Sequence, residues 1–286
     1  MAVRFWPELG RYILIILAVA FAMLPLFWMT TMAFKPIMEW NVTAQDLTWL
    51  PKIWTLANFE FIFTAEYPGI NVAIERVAWG PIWASLLIAT LGTIFALVVG
   101  TFAAYAVSRF GLLEPIGLTV LQLRLFPPLA VMVPLMVMWT YLDFIDTWYG
   151  LALIYGIMNI PFSYWLMKTF FDEIPKEIEE AAMVEGCSHW RVFYRVTMPM
   201  VRAPLATTGL FIFILCWSDY AVALFLTSKD WMTVPVYMNT LTAAMTGHMY
   251  GAKAAMGLIA VIPPLIFGLI IQRDLVRGLT FGAIKQ

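Results

Sequence analysis

Most of the side chains that could do chemistry in this sequence stand in one stretch, Asp172 to Pro204, reading D-E-I-P-K-E-I-E-E-A-A-M-V-E-G-C-S-H-W-R-V-F-Y-R-V-T-M-P-M-V-R-A-P. It is dense in charge between apolar neighbours, so it belongs in water while they belong in lipid. Glu180 offers a carboxylate to an Arg or Lys of another surface, and the small Ala181 and Ala182 beside it permit close approach. That is the chemistry of recognition. A second candidate is Asp219, the clearest acid within an apolar run. An ionisable group at that depth is costly enough to be read as functional, although a structural hydrogen bond or ion pair would also hold it. Trp217 and Tyr220 flank it, and Asn159 and Ser163 stand at i and i+4 in the preceding apolar run. Together they offer acceptors and aromatic faces to a polyhydroxylated solute. The two histidines, His189 and His248, are far apart, and H-E-x-x-H, C-x-x-C and G-x-S-x-G are missing, so neither a metal site nor a hydrolase is expected. G-x-x-x-x-G-K-[ST] is missing too, so ATP hydrolysis by a phosphate loop is not this chain's work. No cofactor is expected in the chain.

These residues must be positioned by membrane-spanning helices. Of the 286 residues, 62% are hydrophobic and 12% charged, against about a quarter charged in a soluble domain, so the chain is polytopic and all-α. The net charge of −1 without a basic tract excludes a nucleic-acid partner. Cys187 and Cys216 would lie in different environments, which excludes a disulfide framework. A crossing needs about 20 apolar residues, and six runs qualify: Tyr12 to Phe34, Ile82 to Val107, Pro115 to Tyr141, Tyr149 to Phe171, Leu205 to Leu226 and Ala254 to Ile271. The first is too long for a signal-peptide core and is expected to be retained. Six crossings put both termini on one side. With that side inside, Arg4, Arg11, Arg109, Lys168, Lys176, Arg191, Arg195, Arg202, Arg273, Arg277 and Lys285 face the cytoplasm, against Lys35, Lys52, Arg76, Lys229 and Lys253 outside.

A single transmembrane domain over 1–286 follows, with an outer loop at 35–81, a cytoplasmic loop at 172–204 and a cytoplasmic tail at 272–286. In the cytoplasmic loop the spacing predicts a helix from Pro175 to Glu185, ended by Gly186 in the left-handed region. Ser188 then caps a second helix that carries Trp190, Phe193 and Tyr194 on one face until Pro199 stops it. The loop is an elbow. The outer loop holds Trp40, Trp49, Trp54 and Trp79, suited either to a cap on the membrane surface or to mere anchoring at the headgroups. Ala96, Gly100, Ala104 and Ser108 form a smooth ridge for close helix packing, within the chain or against a partner. Pro127, Pro128, Pro134, Pro263 and Pro264 should kink their helices, and Pro161 should bend the fourth. Arg124, in the third, and Lys168, near the cytoplasmic end of the fourth, are the basic residues within the predicted crossings.

Glu180-Ala181-Ala182, three residues, Gly186, nine residues, then Val196-Thr197-Met198-Pro199 resembles the E-A-A, G, I-x-L-P signature of ABC importer permeases, with Val196 and Met198 as conservative departures. The tail, Gln272 to Lys285, looks like the V-x-G-L-T-x-G-A-x-K ending of MalG-like carbohydrate permeases, and Trp54 to Phe59 is similar to the segment after their first crossing. The resemblance implies a type I importer permease fold with six crossings. It also implies a coupling helix formed by Glu180, Ala181, Ala182, Gly186 and Pro199 that docks on a separate ATPase. The implied partners are a second permease, an ATPase homodimer that binds ATP and Mg, a substrate-binding protein outside the inner membrane, lipid, and a sugar, polyol or related solute. The competing expectations are an ATP-independent secondary transporter or channel, and a membrane scaffold.

Overall fold

The computed structural model describes residues 5–40, 48–70, 72–111, 122, 128–243 and 247–282, with the backbone alone at 5–9, 128, 129, 243, 247 and 273–282. Arg4, Pro115, Arg124, Pro127 and Lys285 lie outside the described residues, as do the side chains of Pro128, Arg273 and Arg277.

Among the described residues, four helices are long and apolar enough to cross a membrane: α1 (Phe5–Ala33), α3 (Trp79–Phe110), α5 (Trp148–Glu173) and α12 (Tyr250–Gly282). The short helix α2 is Ala57–Thr64, and α4, Met132–Tyr141, is the described end of the expected third crossing. The elbow comprises α6 (Lys176–Val184), α7 (His189–Val192), a π turn at Phe193–Thr197 and α8 (Met198–Met200). It leads into α9 (Arg202–Trp217), and His189–Met200 with Arg202–Trp217 makes a fifth candidate crossing bent by 75°. Then follow α10 (Ala221–Leu226) and α11 (Val234–Thr240), and the two-residue strands Thr242–Ala243 and Gly247–His248 pair antiparallel.

One expectation is corrected. The fifth crossing is not continuous to Leu226, because α9 ends at Trp217 and α10 begins at Ala221. α5 stays helical through Pro161 and α12 through Pro263 and Pro264, and the 75° bend lies between the elbow and α9. The break is at Val201 (φ −97°, ψ 10°). Pro204 lies in the first turn of α9, has no N–H for the Met200 carbonyl four residues back, and its ring crowds that carbonyl.

The chain divides into two compact units, Met1–Trp79 with Tyr237–Val261, and Gly80–Val236 with Ile262–Gln286. In the first, the residues after α1 fold back on its end. Asn58 is fully buried and donates from Nδ2 to the carbonyls of Ala33 and Lys35, both at 2.8 Å. Trp40 is buried, donates to the Lys35 carbonyl at 3.0 Å, and lies against Gly251 so closely that any side chain there would collide with it. Lys35 is itself buried, 4.8 Å over the Trp28 ring. Trp49, Trp54 and Trp79 are more than half exposed. One tryptophan of the four therefore holds the loop together, while three face outward. The described residues cover none of the apolar window of α1.

In the second unit, the ridge on α3 is taken up inside the chain by α5. A Cβ at Gly92 would stand 3.0 Å from the Cβ of Tyr155, and one at Gly100 would stand 2.5 Å from the Cβ of Ser163. Such an approach is what a small-residue ridge permits. α9 packs on the same helix α5. A core cluster gathers Ala104, Tyr105, Tyr164, Met167, Phe171, Ile174, Phe193 and Val201 where α3 and α5 meet the elbow.

At the other end of α5, Asp146 sits at positive φ (53°), and its carboxylate accepts from the N–H groups of Ser228, Lys229, Asp230 and Trp231 and from the Ser228 hydroxyl, at 2.8–3.1 Å. Burial raises its pKa, but the four backbone donors outweigh this and hold it at about 2, below the usual 3.8. A depressed carboxylate contributes stability above its unfolded pKa and loses it as pH falls through the folded value. Asp146→Ala is expected to cost about 2 kcal/mol at pH 7. In thermal melts of the purified protein, wild type and variant should converge between pH 4 and the folded pKa of about 2.

Candidate functional site

The elbow begins where α5 ends. Pro175 precedes α6, Glu177 and Glu179 lie in its first turn at the positive end of the helix dipole, and Gly186 at φ 91° ends it. The Cys187 N–H donates to the Ala182 carbonyl at 3.1 Å and the Gly186 N–H to the Met183 carbonyl at 2.9 Å, the paired closure that needs a left-handed residue at Gly186. A Cβ on Gly186 would meet nothing within 4 Å. Within this chain glycine is therefore required by conformation and not by space.

The two neighbouring glutamates of α6 part company. Glu179 is 5% exposed and forms an ion pair with Arg109 of α3 at 2.9 Å. Its carboxylate also accepts from the hydroxyls of Thr197 at 2.8 Å and Tyr105 at 3.2 Å. Glu180 is exposed, as is Ala181; Ala182 is half-buried and Val184 is 89% exposed. Consecutive helical residues are about 100° apart, so one acid turns into the chain while the next is offered outward.

The second half of the elbow departs from expectation in two ways. Ser188 makes no side-chain cap, and Pro199 does not stop the helix, which continues to Met200. Between them, the π turn brings Phe193 into stacking with Phe102 at 5.2 Å and buries Thr197 beneath Glu179. Trp190 and Tyr194 stack on each other at 6.2 Å and are 65% and 57% exposed. His189 is exposed, with its ring edge-on to Phe110 at 5.5 Å.

Away from the elbow, a cavity of about 680 Å³ opens among α4, α5 and α9. Its wall is apolar, with Met132, Leu135, Met138 and Met158 prominent, and its polar groups are Tyr155, Asn159, Cys216 and Asp219. Of the residues proposed for a solute passage, Asp219 and Asn159 line this cavity, whereas Trp217, Tyr220 and Ser163 are not among its lining. Trp217 is buried and stacked on Phe213 at 5.8 Å, and Ser163 is fully buried against Gly100 of α3. The i, i+4 pairing does not carry over, because the small residues of α3 draw the Ser163 face of α5 inward. Asn159 donates to the Tyr155 carbonyl at 2.8 Å.

Asp219 has a structural task. Its Oδ1 accepts from the Tyr155 hydroxyl at 3.0 Å and from the N–H groups of Val222 and Ala223 at 3.0 and 3.3 Å, capping α10 after the break. Asp219→Ala should therefore cost about 1–2 kcal/mol, and Asp219→Asn, which keeps an oxygen for the same donors, under about 1 kcal/mol by the same reasoning. Thermal shift of the purified protein separates the two.

Tyr155, Arg109, Glu179 and Asp146 were not singled out from the sequence. Tyr155 stands four residues before Asn159, and that spacing alone marks it as a neighbour on the same face. The other three are made chiefly by distant contacts, Arg109 with Glu179 across 70 positions and Asp146 with residues 82 to 85 positions on, at which no local pattern hints.

Residues 96–281 match the family of binding-protein-dependent transport system inner membrane components. The chain belongs to that family. The match runs from the α3 ridge through the whole elbow and into the tail. As a member, the chain is the membrane permease of an ABC importer, in which ATP hydrolysis belongs to a separate subunit, and it carries no catalytic centre of its own. Among curated relatives of this permease family, the trehalose transport system permease protein SugB of Mycobacterium tuberculosis is 32% identical over 279 residues, covering 94% of each chain. The diacetylchitobiose uptake system permease protein DasC of Streptomyces coelicolor is 28% identical over 285 residues, covering 99% of this chain and 97% of its own. A bacterial ABC transporter that imports the acidic polysaccharide alginate contains a chain with the same fold: TM-score 0.72, 19% identity, 94% of this permease and 96% of that chain.

Proposed function

We propose that this permease serves the import of a neutral sugar or polyol and is driven through α6 by an ATPase dimer on the cytoplasmic side, where both termini also lie. The observation that carries the reading is the outward presentation of Glu180 and Ala181 on a helix that is closed by Gly186 and anchored from behind by Glu179. A helix held on one face and bare on the other, with a carboxylate between small residues, suits a cleft that supplies an Arg or Lys. Its partners would be that ATPase, a second permease and an extracytoplasmic binding protein, the last consistent with the family's description. When the ATPase dimer closes on ATP, the docked elbow is displaced, and the crossings continuous with it, α5 and α9, tilt. A passage closed to one side then opens to the other.

The solute class rests on the names of the two curated relatives, which handle trehalose and diacetylchitobiose, and on the cavity. Its described lining offers a phenol, an amide and a carboxylate and no Lys or Arg, which suits hydroxyl groups better than an anion. The test is purification of the tagged chain from its native operon. An ATPase and a second permease should come with it, and Cys187, half-buried at the elbow turn, should be labelled by a membrane-impermeant thiol reagent in inside-out vesicles and spared in spheroplasts. Labelling from outside, or recovery of the chain without an ATPase, sinks the proposal.

A further inference from the structure

The elbow is fastened to α3 by a buried charge pair, and the arrangement is more than a local contact. The Arg109 and Glu179 side chains are each 6% exposed. Nε of Arg109 lies 2.9 Å from Glu179 Oε1 as an ion pair without hydrogen-bond alignment, while Nη2 donates to the Ile174 carbonyl at 3.2 Å and Nη1 to the Ser108 hydroxyl at 3.1 Å. The Ser108 hydroxyl donates in turn to Asp172. Through Thr197 the same carboxylate holds the π turn, and through Tyr105 it reaches a second position on α3. Four segments thus converge on one pair: the end of α3, the link between α5 and α6, α6 itself and the π turn. Separating the charges would leave each unpaired among the aromatic side chains around Tyr105, Phe171 and Phe193, which low-dielectric surroundings penalise heavily.

We propose that Arg109 and Glu179 are positioning residues that keep the end of α3 and the elbow as one body throughout the transport cycle, so that the ATPase stroke drives α3 together with α5 and α9. This rests on the reading of the elbow as the ATPase contact. It assigns adjacent residues opposite tasks: Glu180 receives the stroke and Glu179 passes it on.

The experiment uses the whole importer in proteoliposomes, with Cys187→Ser and Cys216→Ala as the parent and Arg109→Cys with Glu179→Cys added. Before cross-linking, the double variant should keep its ATPase but transport less solute per ATP, on the order of tenfold. Bridging the two thiols with a bifunctional methanethiosulfonate should restore transport to within about twofold of the parent, since a permanent joint tolerates a covalent one. Transport blocked by the bridge, or undiminished before it, overturns the joint. Glu179→Gln gives an independent check, because its amide oxygen can still accept from Thr197 while its NH2 donates to the Tyr105 oxygen, so both contacts can persist, one of them reversed, as the charge is lost. It should lower transport per ATP with the ATPase still bound, whereas a lower melting temperature with transport per ATP unchanged marks a merely structural contact and overturns the proposal. A parent that transports without an ATPase sinks the reading of the elbow, and the joint with it; a parent that couples normally beside unaffected variants sinks the joint alone.

Discussion

Gly100→Val is expected to leave little folded protein in the membrane. A Cβ at this position would lie 2.5 Å from the Cβ and Oγ of Ser163 and 2.9 Å from the backbone nitrogen of Tyr164. The nitrogen belongs to α5 and cannot swing aside, so α3 and α5 would have to separate along the length over which Ala96, Gly100 and Ala104 are buried. Overpacking a core usually costs 1–3 kcal/mol, and a valine set against backbone should exceed that, at roughly 4 kcal/mol or more. Gly209→Ala is the control. Its Cβ would meet only the end of the Leu97 side chain, at 3.1 Å, which can turn away, so the change should stay within about 1 kcal/mol. Melting temperature and yield in detergent read both, and a Gly100→Val protein that melts like wild type would mean that α3 and α5 do not pack in this way.

Glu180→Lys should abolish transport while sparing the chain. Glu180 is exposed, and surface substitutions of this kind usually change stability by less than about 0.5 kcal/mol, so insertion and melting should be normal. Across an interface, setting like charges against each other costs several kcal/mol, and a transport loss on the order of a hundredfold or more is expected in vesicles supplied with ATP. Gly186→Asp should act in the same direction. Its backbone strain at φ 91° amounts to about 1–2 kcal/mol, and a Cβ there meets nothing within 4 Å in this chain. Any large transport defect would then have to arise at a partner's surface. Normal transport by both variants in the presence of a bound ATPase would remove α6 from the coupling path.

The exposed residues of the elbow were legible because their signals are local. An acidic first turn, a helix of about nine residues and a glycine that alone accepts the left-handed closure are properties of neighbouring positions, and α6 with Gly186 at positive φ follows from them. The long apolar runs were legible for the same reason: a crossing is set by length and composition, and α1, α3, α5 and α12 fall where the runs are. The break in the fifth crossing was less so. Ser218 to Tyr220 lies inside an apolar run, and only the capping of α10 by Asp219, with the Tyr155 hydroxyl as a third donor to its carboxylate, shows why the helix stops and restarts there.

By itself, then, the sequence determined that this is a polytopic helical membrane protein with one charged elbow of the importer-permease kind, since hydropathy, capping and motif spacing act over a few residues to a few turns. The tertiary structure alone decided which of two adjacent glutamates is buried, that the small ridge of α3 is consumed by α5, that Ser163 turns away from the cavity Asn159 lines, and that Asp146 clamps a turn 82 to 85 residues further on. A helical period names the face a residue occupies. It does not name what covers that face, because partners so distant in the chain meet only when helices choose their neighbours by shape and charge.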